Sequence, residues 1–279
     1  MDILVSTDWL AGELGATDLR VVDASYFPLD PGRDPQADYD AGHIPGAIFM
    51  NLAELKDSNN PVPFMLPPAE KFASRMQALG IGDGNRIVLY DDTPHITAAR
   101  AWWMLKTFGG HDVALLDGGL AKWKAEGRAL ETGKPTLRHR HFTAWADKKS
   151  VRTLDQMKAN VDSGAEQVLD ARGAARFSGE ESDPRGLADG HIPGAKNLPY
   201  DRVLNADRTW KRGEALKAVF DEAGIDLSKP LVTTCGSGVT AATILFGAAL
   251  LGKTDTALYD GSWSEWGADP STPKTVGAP

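Results

Sequence analysis

The chain has one cysteine among its 279 residues, and that residue heads the sequence Cys235-Gly-Ser-Gly-Val-Thr-Ala241. The preceding Leu231-Val-Thr-Thr234 reads as a short β-rich run entering a turn. Five residues, two of them glycine, lead from Cys235 to a helix expected to begin near Thr240. Glycines in so short a connection let successive backbone N–H groups of Gly236, Ser237, Gly238, Val239 and Thr240 turn inward around one centre, a cradle suited to an anion. A thiol in such a cradle meets several N–H donors and the positive end of a helix dipole, which favour the nucleophilic thiolate. The chemistry that follows is attack on a donor sulfur, a Cys-S-SH intermediate and transfer to an acceptor, a ping-pong scheme. The bland alternative, a buried inert cysteine, fits poorly with a glycine-bearing loop between strand and helix. Cysteine phosphatases use a related loop, but they need an arginine six positions after the cysteine to grip phosphate, and Ala241 stands there.

The elements that position this loop occur twice. Gly42-His-Ile-Pro-Gly-Ala47 recurs as Gly190-His-Ile-Pro-Gly-Ala195, a shift of 148. Ser6-Thr-Asp-Trp-Leu10 with Arg20-Val-Val-Asp-Ala24 corresponds to Thr153-Leu-Asp-Gln-Met157 with Gln167-Val-Leu-Asp-Ala171, a shift of 147. Ile87-Val-Leu-Tyr-Asp91 matches Leu231 to Cys235 at a shift of 144, so Asp91 takes the place of the cysteine in the first copy. Leu116-Asp-Gly-Gly119 and Trp123 match Tyr259-Asp-Gly-Ser262 and Trp266 at a shift of 143. Each copy alternates short apolar strands with amphipathic helices, such as 69–79, 98–108 and 214–223, which predicts an α/β fold with two tandem domains, each a mainly parallel sheet flanked by helices. The expected division is 1–130 without a catalytic cysteine, a linker over 131–149, and a catalytic 150–279. His43 and His191 sit in the repeated turn although only one copy carries a cysteine, which marks them as structural. Trp102, Trp103, Trp123 and Trp266 read as core or domain-interface anchors.

Cys235-Gly-Ser-Gly-Val-Thr-Ala241, both His-Ile-Pro-Gly-Ala turns, Asp117-Gly-Gly-Leu120 and Asp260-Gly-Ser-Trp-Ser-Glu-Trp266 together resemble the 3-mercaptopyruvate sulfurtransferases of the tandem-rhodanese family, over nearly the whole chain. The resemblance implies two rhodanese domains, the second catalytic, with Cys235 as the sulfur carrier and the loop from Gly236 to Thr240 stabilising the anion. It also implies that Arg176 and Arg185, in Ala175-Arg-Phe-Ser-Gly179 and Asp183-Pro-Arg-Gly186, bind the carboxylate of a keto-acid donor, a task suited to guanidinium forks; Arg172 lies nearby in sequence. Gly236 and Ser237 are neutral where thiosulfate-preferring relatives carry basic residues. Some relatives set a histidine and an acidic residue of the first domain beside the loop serine; here Phe64 takes the expected histidine position and Asn51 or Ala53 the acidic one. Ser237 is therefore expected to act by direct hydrogen bonding, although Glu54 and Asp57 are close in sequence. Two alternatives stay open: a thiosulfate:cyanide sulfurtransferase, and a non-enzymatic persulfide-carrying or binding module.

Composition narrows the partners. A length of 279 residues fits two domains. With 30 basic and 38 acidic residues the net charge is −8, which disfavours nucleic acid and anionic membranes as partners. The run Leu137-Arg-His-Arg-His141 is read as a solvated linker face. One cysteine excludes an internal disulfide and a thiolate zinc cluster, so no metal or organic cofactor is expected, and the sulfur acceptor must be an external thiol, a thioredoxin-like protein or cyanide. The segment Ala241 to Leu251 is too short for a bilayer and fits a buried helix, and Met1 to Asp8 lacks the basic and apolar regions of an export signal; both favour the cytoplasm.

Overall fold

Runs such as Arg86-Ile-Val-Leu-Tyr90 are almost wholly apolar, as strands covered on both faces by helices must be, and they form two parallel sheets. The computed structural model describes residues 1–28, 30 and 32–278. The first unit contains β1 (Leu4–Val5), α1 (Thr7–Glu13), β2 (Leu19–Asp23), α2 (Pro35–Ala41), β3 (Ile48–Phe49), α3 (Ala69–Ala78), β4 (Arg86–Tyr90), α4 (Thr97–Thr107), β5 (Asp112–Leu116) and α5 (Gly119–Ala125). Its strand order is β1-β5-β4-β2-β3. The second repeats the plan with β6 (Val151–Arg152), α6 (Leu154–Ser163), β7 (Gln167–Asp170), α7 (Ala174–Ser178), β8 (Lys196–Asn197), α8 (Gly213–Glu222), β9 (Leu231–Thr234), α9 (Ala241–Leu250), β10 (Thr256–Tyr259) and α10 (Ser262–Trp266). Its order, β6-β10-β9-β7-β8, is the same path through the sheet. The expected α/β class with tandem parallel sheets is what the chain adopts.

Unit 1 comprises 1–57, 66–147 and 206–209; unit 2 comprises 58–65, 148–205 and 210–279. Two short segments thus group with the opposite half of the chain. The stretch read as a linker adheres to unit 1 over most of its length. Glu131 bridges His43 in antiparallel fashion, the Asp83 N–H donates to the His141 carbonyl at 2.9 Å, and Phe142 is buried. The side chains of Arg138 and His141 remain exposed, so the basic run presents a solvated face while its backbone is docked.

Both repeated turns are built alike. His43 stacks on Tyr39 with centroids 3.9 Å apart and its Nδ1 lies 2.8 Å from the Tyr39 carbonyl. His191 does the same with Phe177, at 3.7 Å and 2.8 Å. Both histidines are buried and tie the turn to the helix that precedes it, α2 in one copy and α7 in the other. Trp102, Trp103, Trp123 and Trp266 are all buried. Helix α9 is apolar around nearly its whole circumference and buried accordingly, and no helix among the described residues is long and apolar enough to cross a membrane.

Candidate active site

Strand β9 ends at Thr234, and Cys235 follows at the carboxyl edge of the sheet, where ligands of parallel sheets gather. The residue is 2% exposed. Its own backbone is tied on both sides: the N–H donates to Ser262 Oγ at 3.3 Å, and the carbonyl accepts from the Trp263 N–H at 2.9 Å. Ser262 donates in turn to the Tyr259 carbonyl at 2.8 Å, with its backbone at φ 50°, a left-handed conformation that side-chain-bearing residues rarely adopt. The hydroxyl bonds offset that cost and fix the base of the loop.

Residues 236–240 then run to α9, with Thr240 as its N-cap residue and Gly238 at φ 76°, the turn that needs glycine. Among the described residues, the backbone N–H groups of Gly236, Ser237, Val239 and Thr240 donate to no protein acceptor. The Ser237 hydroxyl likewise meets no protein partner among those residues, and the side chain is half-buried. Unpaired donors at the start of a ten-residue helix form an anion-binding concavity. The loop's outer side is clamped at the Gly236 carbonyl, which accepts from the Ser264 N–H at 2.9 Å, the Ser264 hydroxyl at 2.8 Å and Arg185 Nη1 at 3.1 Å.

Arg185 is therefore beside the loop. Its Nε and Nη2 form a fork on Asp183 at 2.8 and 2.6 Å, and Nη1 also reaches Ser264 Oγ at 2.6 Å. Burial works to raise the Asp183 carboxyl, but hydrogen bonds from the Arg185 side chain and N–H outweigh it and hold the group below its ordinary range. Arg176 lies in the last turn of α7, where only its Nε is taken, by Glu181 at 2.9 Å. Its charge reaches Asp183, yet it makes no hydrogen bond to the cysteine loop. Arg172 is committed elsewhere, buried on Asp170. The structure thus joins Cys235, its loop and Arg185 through direct bonds, while Arg176 keeps its Nη groups open. Ser262, Ser264 and Asp183 escaped the sequence reading, although each sits in a motif quoted above; their hydroxyl and carboxylate groups were the signal. Phe64 groups with unit 2 and holds φ 64°. Asn51 donates to Glu54 at 3.1 Å within unit 1.

Unit 1 shows the same cradle with a resident anion. Asp91 is buried at the end of β4, and its carbonyl accepts from the Leu120 N–H at 3.0 Å, as that of Cys235 does from Trp263. Its carboxylate bends into the start of α4, accepting from the Ala98 N–H at 2.7 Å and Thr97 Oγ1 at 3.2 Å. Burial, opposed by the Ala98 N–H and the Arg208 charge, still pushes the carboxyl up to about 6.

A family model described as a rhodanese-like domain matches residues 6–126 and again 153–269. The chain belongs to the rhodanese family. Its rhodanese relatives include the human 3-mercaptopyruvate sulfurtransferase, 42% identical over 270 residues, with 94% of this chain and 91% of that protein covered. The chicken thiosulfate sulfurtransferase is 43% identical over 270 residues, covering 94% and 92%. Among solved rhodanese structures, SseA from Escherichia coli, from a study of the fold and mechanism of 3-mercaptopyruvate sulfotransferases, superposes with a TM-score of 0.87. It is 37% identical and covers 94% of this chain and 99% of its own.

Proposed function

We propose that this protein is a sulfurtransferase that takes sulfur from 3-mercaptopyruvate, holds it as a persulfide on Cys235 and passes it to a thiol, a thioredoxin-like protein or cyanide. The observation that carries this reading is the buried Cys235 under a loop in which the N–H groups of Gly236, Ser237, Val239 and Thr240 meet no protein acceptor among the described residues, in a chain so similar to the human enzyme. The Cys235 thiolate attacks the donor's sulfur, a new S–S bond forms, and the C–S bond breaks. Its electron pair leaves on carbon as the enolate of pyruvate, which takes a proton from water, while the thiol proton stays on the transferred sulfur. The acceptor thiolate then attacks that outer sulfur and the S–S electron pair returns to Cys235. The N–H groups of residues 236–240 stabilise the anionic sulfur before and after each step. Arg176 and Arg185 bind the donor's carboxylate, and the Ser237 hydroxyl donates to its keto oxygen. A cytoplasmic setting suits a carrier thiol that must be regenerated by reduced partners.

Thiosulfate as donor is the second reading, favoured by the chicken relative's activity. The neutral Gly236 and Ser237 leave a dianion with little charge to meet, which argues for the keto acid.

Intact mass after exposure to 3-mercaptopyruvate, with pyruvate followed in parallel, separates these readings. A gain of one sulfur on the wild type but not on Cys235→Ser, with matching pyruvate, is the expected result. Loading by thiosulfate alone would move the donor assignment. Loading without turnover to any acceptor would leave a carrier module, and no loading by either donor would overturn the enzyme.

A further inference from the structure

Among the buried positions at which the two repeats differ, one leaves a hole. In unit 2, Asp170 ends β7 and Arg172 follows two residues later, both buried. The Arg172 guanidinium donates to Asp170 Oδ2 from Nε at 3.0 Å and from Nη2 at 2.7 Å. Nη2 also donates to the Gly190 carbonyl at 2.8 Å, and the cation lies 4.4 Å from the Trp263 ring centroid. A buried carboxylate is thereby neutralised by a flat cation held on three sides.

Unit 1 keeps the buried carboxylate and drops the cation. Asp23 ends β2 at the position of Asp170, Gly42 stands for Gly190 and Leu120 for Trp263, but Ser25 replaces Arg172. Asp23 is 2% exposed and, among the described residues, accepts from neutral donors, the Ser25 N–H at 2.9 Å and the Tyr90 hydroxyl. The Ser25 hydroxyl is taken by the Asp92 N–H at 3.0 Å. A cavity of about 220 Å³ opens here, lined by Asp23, Ser25, Gly42 and Leu120, with Asp38, Asp92, Arg33 and Lys124 also in its lining toward solvent. That is several times the ~30 Å³ one water takes in the liquid. The outer carboxylates are already matched, Asp38 by Arg33 at 2.7 Å and Asp92 by Lys124 at 3.0 Å. The inner one, Asp23, has no ion-pair partner among the described residues.

We propose that this cavity binds a guanidinium on a short unbranched stem, seated on the Asp23 carboxylate as the Arg172 guanidinium is on Asp170, with Gly42 in the wall beside it. The site offers a planar fork acceptor at Asp23, Gly42 in its wall and an aliphatic surface at Leu120 where the indole of unit 2 lies. Burial drives the Asp23 carboxyl upward, a cost that an incoming cation relieves. The guanidinium can belong to a free guanidino amine or to an arginine side chain presented by a peptide, and the chemistry of the seat is the same for both.

Calorimetric titration of the full chain with agmatine, with a Gly-Arg-Gly amide and with methylammonium tests the site. Saturable one-to-one binding of agmatine or the peptide is expected, with methylammonium weaker by about tenfold or more because it cannot form the fork. Whichever guanidinium carrier binds more tightly identifies the source. Ser25→Arg fills the seat from within and should abolish binding while melting no lower than the wild type; Asp23→Asn should weaken binding by a similar factor and decides the matter if the arginine variant does not fold. Absence of saturable binding in the wild type, equal affinity in either folded variant, or methylammonium binding as tightly as agmatine overturns the assignment.

Discussion

At the residue scale, Cys235 and Asp91 are two answers to one backbone. Each directly follows a central strand, and each has its carbonyl held by an N–H from the helix that follows the next strand. The cysteine leaves its cradle of donors open, whereas the aspartate fills its own. Because burial raises the Asp91 carboxyl from 3.8 to about 6, the folded chain holds that proton more tightly than the unfolded chain does. The associated stability is present below about pH 4 and is lost as pH rises through about 6, a change of about 3 kcal/mol. Asp91→Asn, which does not titrate, should therefore gain on the wild type between those limits and hold a constant lead above them. Denaturant midpoints of both proteins across that range check it; a lead independent of pH would refute the assignment. The two arginines divide differently. Arg185 spends most of its donors on Asp183, Ser264 and the Gly236 carbonyl, whereas Arg176 spends one on Glu181. Arg176→Gln should raise KM for 3-mercaptopyruvate by roughly tenfold to a hundredfold with kcat little changed, as loss of a charged hydrogen bond predicts. Arg185→Gln should lower kcat as well, because the loop clamp goes with it. Steady-state kinetics of the pair decides, and matching KM-only effects would show that Arg185 does not position the loop.

At the element scale, the repeated His-Ile-Pro-Gly-Ala turn shows how one motif carries different tolerances. Gly190 enters it at φ 96°, and a Cβ there would lie 2.2 Å from the Thr275 carbonyl oxygen. Gly42 enters the same motif at φ 171°, an extended backbone open to any residue, and its Cβ would meet a Leu130 methyl at 3.3 Å. Gly190→Ala should cost about 2 kcal/mol or more, whereas Gly42→Ala should lie within about 0.5 kcal/mol of the wild type. Thermal or denaturant unfolding distinguishes them, and equal effects would mean that the C-terminal strap through Thr275 does not clamp the turn. Helix boundaries are readable from sequence to within one residue: α3, α4 and α8 end or begin where the apolar spacing stops. The cradle is readable because a strand, a glycine-bearing turn and an apolar helix follow one another directly. The clamp around it is not, since Ser262, Ser264 and Arg185 reach the loop through contacts 27, 28 and 51 residues removed in sequence, and Asp183 acts only through Arg185.

At the scale of the whole molecule, internal repetition in the sequence makes the two-domain architecture legible. What repetition hides is exchange: 58–65 grouping with unit 2 and 206–209 with unit 1 interrupt the simple halves, and no periodicity marks such excursions. The docking of the charged stretch from Glu131 to Asp147 is equally invisible, because polar composition reports solvated side chains and not where the backbone bonds go. One thiol in 279 residues sets a stoichiometric limit. With donor and no added acceptor thiol, pyruvate should appear in a fast burst of one equivalent per chain, and adding a dithiol should speed the release that follows. Burst amplitude measures this directly; a burst well above one equivalent, or none at all, would contradict a single carrier thiol.

The Asp91 carboxylate, covalently tied a few ångströms from the donors it occupies, competes for them at an effective concentration that no dissolved anion approaches. Unit 1 in that sense carries its own competitor for any dissolved anion at those donors.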